Sequence, residues 1–351
     1  MAANPLDTLV KKVNKDLGEG TLIKGSDLAD APPRVPSGSL AIDLMLGGGW
    51  PLNCWSELVG EPSSGKSVIA AKTIAAAQAL NPDFQCLWVA AEPFEAKWAA
   101  ACGVDLSRTT LVNTRIMEEA YQVCIDAIDG RLVDAVVIDS LSALTPKEED
   151  DKAIDELTVG LGARLTNKFM RKSGTVQRRS LVDNTDRPCL GLIISQFRDK
   201  VGVSWGDTRT TPYGRGKEFH YMIRVEVRRD DWIEHDKHKV GMVMKARTVK
   251  NKTAPPQRLS TVDFYWEQAP GFDAGDYDLI KEIANIAMAL DVVERAGAYY
   301  RFNGRQWQGK DAFLGDLRSE VDLRKEVEAV VRNPTITAMP VVPTRRRMKH
   351  G

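Results

Sequence analysis

The amino-acid sequence predicts an α/β fold, a mostly parallel sheet flanked by helices, on three observations. Apolar runs at Ser56 to Val59, Gln85 to Ala90, Ala135 to Ile138 and Leu190 to Ser195 have the length of strands buried on both faces. Between them, Val68 to Ala79, Met117 to Ile128 and Leu161 to Lys172 carry apolar residues at helical spacing, so strands and helices alternate. The first strand also runs through a glycine-containing turn, Gly60 to Ser67, straight into the first helix. A chain of 351 residues that is 43% hydrophobic can bury a sizeable core.

Taken in order, Leu6, Leu9, Val10, Val13 and Leu17 recur at helical spacing before Gly18 and Gly20, so the chain opens with an amphipathic helix. Asp30 to Gly38, with three prolines, reads as a linker, and residues 1–35 form a helix-and-linker unit suited to docking on another subunit. The main domain occupies 36–272. Its last segments, Met222 to Val227, Gly241 to Val249 and Leu259 to Trp266, follow one another without helices and predict antiparallel strands on one edge. After Gly275 the periodicity is helical, and Tyr299 to Trp307 reads as a hairpin around Asn303-Gly304, giving a small α+β C-terminal domain over 273–333. Residues 334–351, ending in Arg345, Arg346, Arg347 and Lys349, read as a basic flexible tail.

Forty-eight Lys and Arg balance 48 Asp and Glu, so any nucleic-acid binding must come from a local basic surface. The five cysteines (Cys54, Cys86, Cys102, Cys124, Cys189) are scattered without a CxxC pair, as expected of reduced thiols. No apolar run approaches the ~18 residues that span a bilayer, and no signal-peptide core opens the chain; the expectation is a cytoplasmic protein without a membrane partner. His235 and His238 fall in a charged hairpin tip with no further ligand in view, which argues against a metal there.

The stretch Gly60-Glu61-Pro62-Ser63-Ser64-Gly65-Lys66-Ser67 lies between strand and helix, the context a phosphate-binding loop requires. Its backbone N–H groups can converge on phosphate oxygens at a helix N-terminus, Lys66 can meet the β and γ phosphates, and the Ser67 hydroxyl can ligate Mg²⁺. Asp139 ends the strand Ala135 to Ile138 and either holds that Mg²⁺ or caps the next turn. Glu92 follows the strand Cys86 to Ala91 and emerges at the same sheet edge, where it is a candidate to activate water; glutamates at strand ends are common, so position alone leaves this open. Gln196 stands at the root of a long polar segment, Arg198 to Gly216, where it could sense the γ phosphate.

These residues, with Ser37-Gly38-Ser39-Leu40, Ala143-Leu144-Thr145-Pro146-Lys147, Gly160-Leu161-Gly162-Ala163-Arg164, Met170-Arg171-Lys172, Lys200-Val201-Gly202-Val203, Val249-Lys250-Asn251-Lys252 and Arg295-Ala296-Gly297-Ala298-Tyr299, resemble the bacterial RecA recombinases in the same order from the first helix to about Asn333. The resemblance implies a RecA-like P-loop NTPase core and a DNA-dependent ATPase. It further implies ATP and Mg²⁺ as cofactors, a homo-oligomeric helical filament on single-stranded DNA, and strand exchange with double-stranded DNA. Accessory recombination proteins or a self-cleaving repressor are further partners it would allow. By the resemblance, Glu92 activates water, Gln196 senses the γ phosphate, Glu95, Trp98 and Trp266 surround adenine, and Lys250 with Lys252 reach the ATP of the adjacent protomer. For the two tryptophans, plain core packing is an equal alternative.

Two DNA-binding loops of the family match Glu148 to Gly160 and Phe197 to Gly216, with Gly160, Arg164, Arg171, Arg198, Trp205 and Lys217 as the expected contacts. Departures from the family pattern suit a divergent, phage-borne relative. Tyr213-Gly214-Arg215-Gly216 stands where paired glycines are expected, Ala90 replaces an acidic residue, extra residues lengthen Asp183 to Pro188, and the tail is basic instead of acidic. The competing functions are a ring-shaped helicase motor on the same core and a filament scaffold that activates a repressor or protects single strands.

Overall fold

The computed structural model describes residues 4–17, 22–25, 33–153, 160–177, 187–199 and 209–332. Residues 154–159 and 200–208 of the two loops, Trp205 among them, residues 183–186 and the basic tail lie outside the described residues.

The opening helix α1 spans Pro5–Leu17 and exposes Leu6 and Leu9. Strands β1 (Arg34–Val35) and β2 (Trp50–Pro51) pair antiparallel around α2 (Leu40–Leu46). Helix α2 starts where the Ser39 hydroxyl accepts from Ile42 N (3.1 Å) and stops at Gly47, whose φ of 90° no β-carbon residue adopts readily. The chain then alternates β3 (Cys54–Gly60), α3 (Lys66–Leu80), β4 (Cys86–Ala90), α4 (Ala96–Ala101), β5 (Thr109–Val112), α5 (Met117–Asp129) and β6 (Ala135–Asp139). The short α6 (Lys147–Asp150) and the long α7 (Leu161–Gln177) lead to β7 (Leu190–Gln196).

Beyond β7, the two-residue strands β8 (Arg198–Asp199) and β9 (Arg209–Thr210) pair at the root of the second loop. A long ribbon follows, β10 (Tyr221–His235) and β11 (His238–Asn251), joined by Asp236 and Lys237 at φ 48° and 67°, and then β12 (Leu259–Tyr265). Two residues with positive φ are what a tight hairpin turn demands. Among the described residues, eight strands form one sheet in the order β12-β11-β10-β3-β7-β6-β4-β5. Strands β10, β3, β7, β6, β4 and β5 run parallel, and β11 and β12 continue antiparallel on one edge.

Alternation along each buried strand divides the core in two. Ala135 and Val137 join Leu58, Trp88 and Ile194 on the α3 face, whereas Val136 and Ile138 join Val89, Ile193 and Phe169 on the face covered by α5 and α7. Each such aliphatic side chain contributes about 1.5–3 kcal/mol by leaving water. Edge strand β5 was not expected; its residues are half-buried or exposed, so it lacks the apolar run that marked its neighbours.

The C-terminal elements are α8 (Leu279–Ala289), β13 (Glu294–Ala296), β14 (Tyr299–Phe302), β15 (Arg305–Gln308), α9 (Lys310–Ser319) and α10 (Val321–Val331). The expected hairpin turns at Asn303-Gly304, φ 47° and 79°, and β13 adds a third strand. Ala287, Phe313, Leu317 and Val327 form a separate cluster under these elements. Buried Glu282 ties it to the core, accepting from Ser39 Oγ (2.5 Å) and Leu40 N (2.7 Å). Burial raises this carboxyl to about 7, against the lowering effect of both hydrogen bonds. All five cysteines are buried and none forms a disulfide, and burial pushes Cys189 up to about 12 and raises Cys86 and Cys124 as well. No described helix is long and apolar enough to cross a membrane.

Candidate functional site

Gly60 to Ser67 joins the C-terminal end of β3 to the N-terminus of α3, at the edge where β4, β6 and β7 also end. A β-carbon on Gly60 would sit 2.1 Å from Val227 O of β10, so only glycine fits this crossing. Gly65 has φ 96°, and a β-carbon there would meet Met244 Sδ at 2.2 Å. Lys66 is buried, and its ammonium donates to the loop carbonyls of Glu61 (2.6 Å) and Gly60 (3.1 Å). Burial lowers the pKa of this ammonium, opposed by the charges of Glu92, Asp139 and Glu61.

A cavity of about 580 Å³ collects Pro62 to Val68 with Glu92, Asp139, Gln196, Trp98 and Trp266, which come from six separate segments of the chain. Asp139 accepts from the Ser67 hydroxyl; burial, with Glu92 nearby, raises its carboxyl to about 6 despite that bond. The peptide bond between Asp139 and Ser140 is cis. Glu92 lies two residues past β4, where its N–H donates to Asp139 O (3.0 Å). Its Oε1 accepts from Gln196 Nε2 (2.8 Å) and from Ser140 Oγ. One carboxylate oxygen is thereby fixed by two donors from the ends of β7 and β6. Gln196 itself is anchored through its N–H to Ser142 Oγ (3.2 Å).

Ser140, Ser142, Phe264, Arg229, Trp232 and Met242 have no role in the sequence reading. Ser140 was visible as part of the strand-end motif, but only the fold shows it beside Glu92. Arg229 and Trp232 were hidden because three residues apart on a regular strand means opposite faces. A bulge between Arg229 and Asp231 resets the register, so Arg229 faces Met244 and Trp232 faces Met242, two residues apart on β11. Both therefore line the same cavity.

Glu95 and Lys217 need correction. Glu95 accepts from Lys97 N (3.2 Å) as the cap of α4, is exposed, and is not among the residues lining the cavity. Lys217 is not placed for DNA: it is fully buried, donating to Thr211 Oγ1 (2.5 Å) with Glu57 Oε1 at 3.8 Å. Glu57 in turn accepts from Ser195 Oγ (2.7 Å) and Arg224 Nε (2.5 Å). An ammonium so enclosed belongs to an internal charge network.

Lys250 is the penultimate residue of β11 and Lys252 lies just past its end, and both ammoniums reach one side, donating to Glu218 O (2.5 Å) and Phe219 O (3.5 Å). Neither lines the nucleotide cavity. Gly160, at φ 74°, precedes α7; Arg164 and Arg171, seven apart, share an exposed face of that helix, and exposed Arg198 lies against Ser142 O (3.4 Å). Tyr213 adopts φ 64°, the conformation a glycine would take, while its ring fills the space over Gly162 and its hydroxyl donates to Leu144 O. The loop's far end is thus pinned by an aromatic contact where the family pattern has paired glycines.

The family model for the RecA N-terminal domain matches residues 4–270. Protein RecA of Lactobacillus delbrueckii subsp. bulgaricus is 33% identical over 332 residues, covering 93% of this chain and 95% of that protein. Protein RecA of Staphylococcus carnosus is 32% identical over 332 residues, with 93% and 89% covered, and that of Staphylococcus aureus 33% over 331, with 93% and 91% covered. With a phosphate loop, a two-donor clamp on Glu92 and these matches over nearly its whole length, the chain belongs to the RecA family and is a RecA-like recombinase.

Proposed function

We propose that this chain hydrolyses ATP at a site completed by the next protomer of a filament on single-stranded DNA. The observation that carries the reading is the Glu92 carboxylate, held by Gln196 and Ser140 in one cavity with Lys66 and Asp139. Lys66 meets the β and γ phosphates, and the loop N–H groups at the start of α3 hold the phosphate oxygens. Ser67 and Asp139, already hydrogen-bonded, form an oxygen donor pair fit for Mg²⁺, which would neutralise phosphate charge. Glu92 takes the proton of the attacking water, and its two donors orient it. Gln196, at the root of the second loop, links γ-phosphate contact to that loop.

Lys250 and Lys252 act in trans on the neighbour's phosphates. Supporting this, they share one side of the molecule with Phe219, which is 77% exposed, and none of the three lines the chain's own nucleotide cavity. Exposed Leu6 and Leu9 on α1 supply an apolar contact between protomers. Arg164, Arg171 and Arg198 track DNA phosphates, so affinity depends on salt more than on sequence.

Mixing tests the shared site. Glu92→Gln and the Lys250→Ala, Lys252→Ala double variant are each nearly inactive but still polymerise on DNA. At equal mixing in random order, roughly a quarter of the head-to-tail interfaces pair an intact Glu92 with intact lysines. DNA-stimulated ATPase returns to about that share of wild type. Mixed filaments that form without regaining activity would refute a site shared in this way.

A further inference from the structure

Four contacts converge on one short segment between the nucleotide cavity and the first loop. Ser140 to Leu144 follows β6 as a single turn, closed by bonds from Ala143 N to Ser140 O (3.1 Å) and from Leu144 N to Leu141 O (3.4 Å). Leu141 and Leu144 are buried in the cluster under α5 and α7, so the turn is anchored in close-packed core. Every second residue of it holds a different partner. The Ser140 hydroxyl donates to Glu92, and Ser142 accepts from Gln196 N (3.2 Å) at Oγ and from Arg198 (3.4 Å) at its carbonyl. The Leu144 carbonyl accepts from the Tyr213 hydroxyl. Glu92 and both ends of the second loop thus bear on the same five residues.

Tyr213 holds its end against a backbone preference. Its φ of 64° lies in the left-handed region, which residues with a bulky side chain rarely adopt. Packing keeps it there: a β-carbon at Gly162, in the first turn of α7, would sit 2.4 Å from the Tyr213 ring. Gly162 follows the first loop and Leu144 precedes it, so one side chain from the far end of the second loop touches both flanks of the first. Gly216 is pressed on α7 as well, since a β-carbon there would meet Asn167 Oδ1 at 2.5 Å. A strained residue fixed by contacts on two sides points to a use for the position.

We propose that Tyr213 is a positioning residue for DNA-stimulated hydrolysis. Through Leu144 and the turn it keeps the Ser140 donor on Glu92, and so carries DNA contact at the second loop to that carboxylate by a path separate from Gln196. The proposal rests on the reading of Glu92 and the loops given above and deepens it. Gln196 reaches Glu92 directly from the near end of the loop, whereas Tyr213 reaches it from the far end through the turn. The β8 and β9 pairing ties the two ends to each other at the root. Neither Tyr213 nor Leu144 lines the nucleotide cavity, so removing the hydroxyl leaves the groups that meet ATP in place.

ATP turnover of the full-length chain over a range of ATP concentrations, with and without saturating single-stranded DNA, tests this. In Tyr213→Phe, which keeps the ring over Gly162, DNA-stimulated kcat should fall about three- to tenfold, the loss expected of one hydrogen bond. DNA-free turnover and KM for ATP should stay within about twofold of wild type. Tyr213→Gly should lose at least as much stimulation, although its backbone is relaxed. In a Ser140→Ala background the Tyr213→Phe change should cost less than about twofold more, and in a Gln196→Ala background its full factor. Unchanged DNA stimulation in both Tyr213 variants overturns the proposal. An equal fall with and without DNA also overturns it, since Tyr213 would then serve the fold alone, and so does a full additional loss in the Ser140→Ala background. A wild type whose turnover ignores DNA sinks the DNA-dependent reading itself, a separate result.

Discussion

The two halves of the large sheet contribute to the site by different physics. In the parallel half, every reactive group stands at or just past a strand's C-terminal end: the phosphate loop after β3, Glu92 after β4, Asp139 on β6, Gln196 on β7. On the other side, where the far part of β10 pairs antiparallel with β11 and β11 with β12, the contributions come from strand faces: Arg229 and Trp232 on β10, Met242 on β11, Phe264 on β12. Strand ends place polar groups where several strands converge, and hydrogen bonds then fix them. Strand faces place rings and sulfur by cross-strand register. The first half brings carboxylates, an amide and an ammonium to the cavity, and the second brings rings, a thioether and a guanidinium.

The largest effect that would sharpen this contrast is at Glu92. Glu92→Gln should lower DNA-stimulated kcat by about 10²–10⁴ while ATP binding, measured by displacement, stays within about twofold. Loss of binding in step with kcat would mean that Glu92 holds substrate instead of activating water. Where the halves meet, Lys217→Met should cost about 3 kcal/mol, because Glu57 stays buried with one cation fewer, and the slope of DNA affinity against salt should not change. Thermal unfolding and salt titration check both parts; a shallower salt slope would return Lys217 to the DNA surface.

A smaller loss, about tenfold in kcat, is expected from Ser140→Ala, which removes one of two donors from Glu92 Oε1. If Gln196→Ala and Ser140→Ala gave equal rates and equal DNA stimulation, the loop-root glutamine would have no special coupling. A further effect lies outside the nucleotide cavity, at Glu282. A carboxyl raised to about 7 in the folded chain binds its proton more tightly than in the unfolded one, so stability should fall as pH rises from about 4.5 to 7. The full span is worth about 3 kcal/mol, and Glu282→Gln should flatten that part of the pH profile relative to wild type. Parallel denaturation curves for the two proteins across this range would contradict it.

What could be read in advance follows the same division. Buried parallel strands appear as apolar runs, so the polar residue that ends each run declares itself; Glu92, Asp139 and Gln196 were found in this way and meet in one cavity. Arg228 to His235 is too polar to look like a strand, and the bulges that continue it leave no period in the sequence. Trp232 was therefore invisible. Lys217 misled because its partners Glu57 and Thr211 are brought to it by folding, and a lone lysine beside a loop looks like a surface charge. Ser39 and Glu282 could not be joined from sequence at all, since 243 positions separate them.

The burial of every native thiol has a practical consequence. Thiolates react with alkylating labels, and thiols with raised pKa values behind closed packing supply few of them. A cysteine introduced at an exposed place such as Arg164 or Phe219 would be the fast-reacting thiol against a quiet background. The wild-type chain can thus carry a single optical probe on α7 or beside Lys250 and Lys252 without first being stripped of its own sulfur.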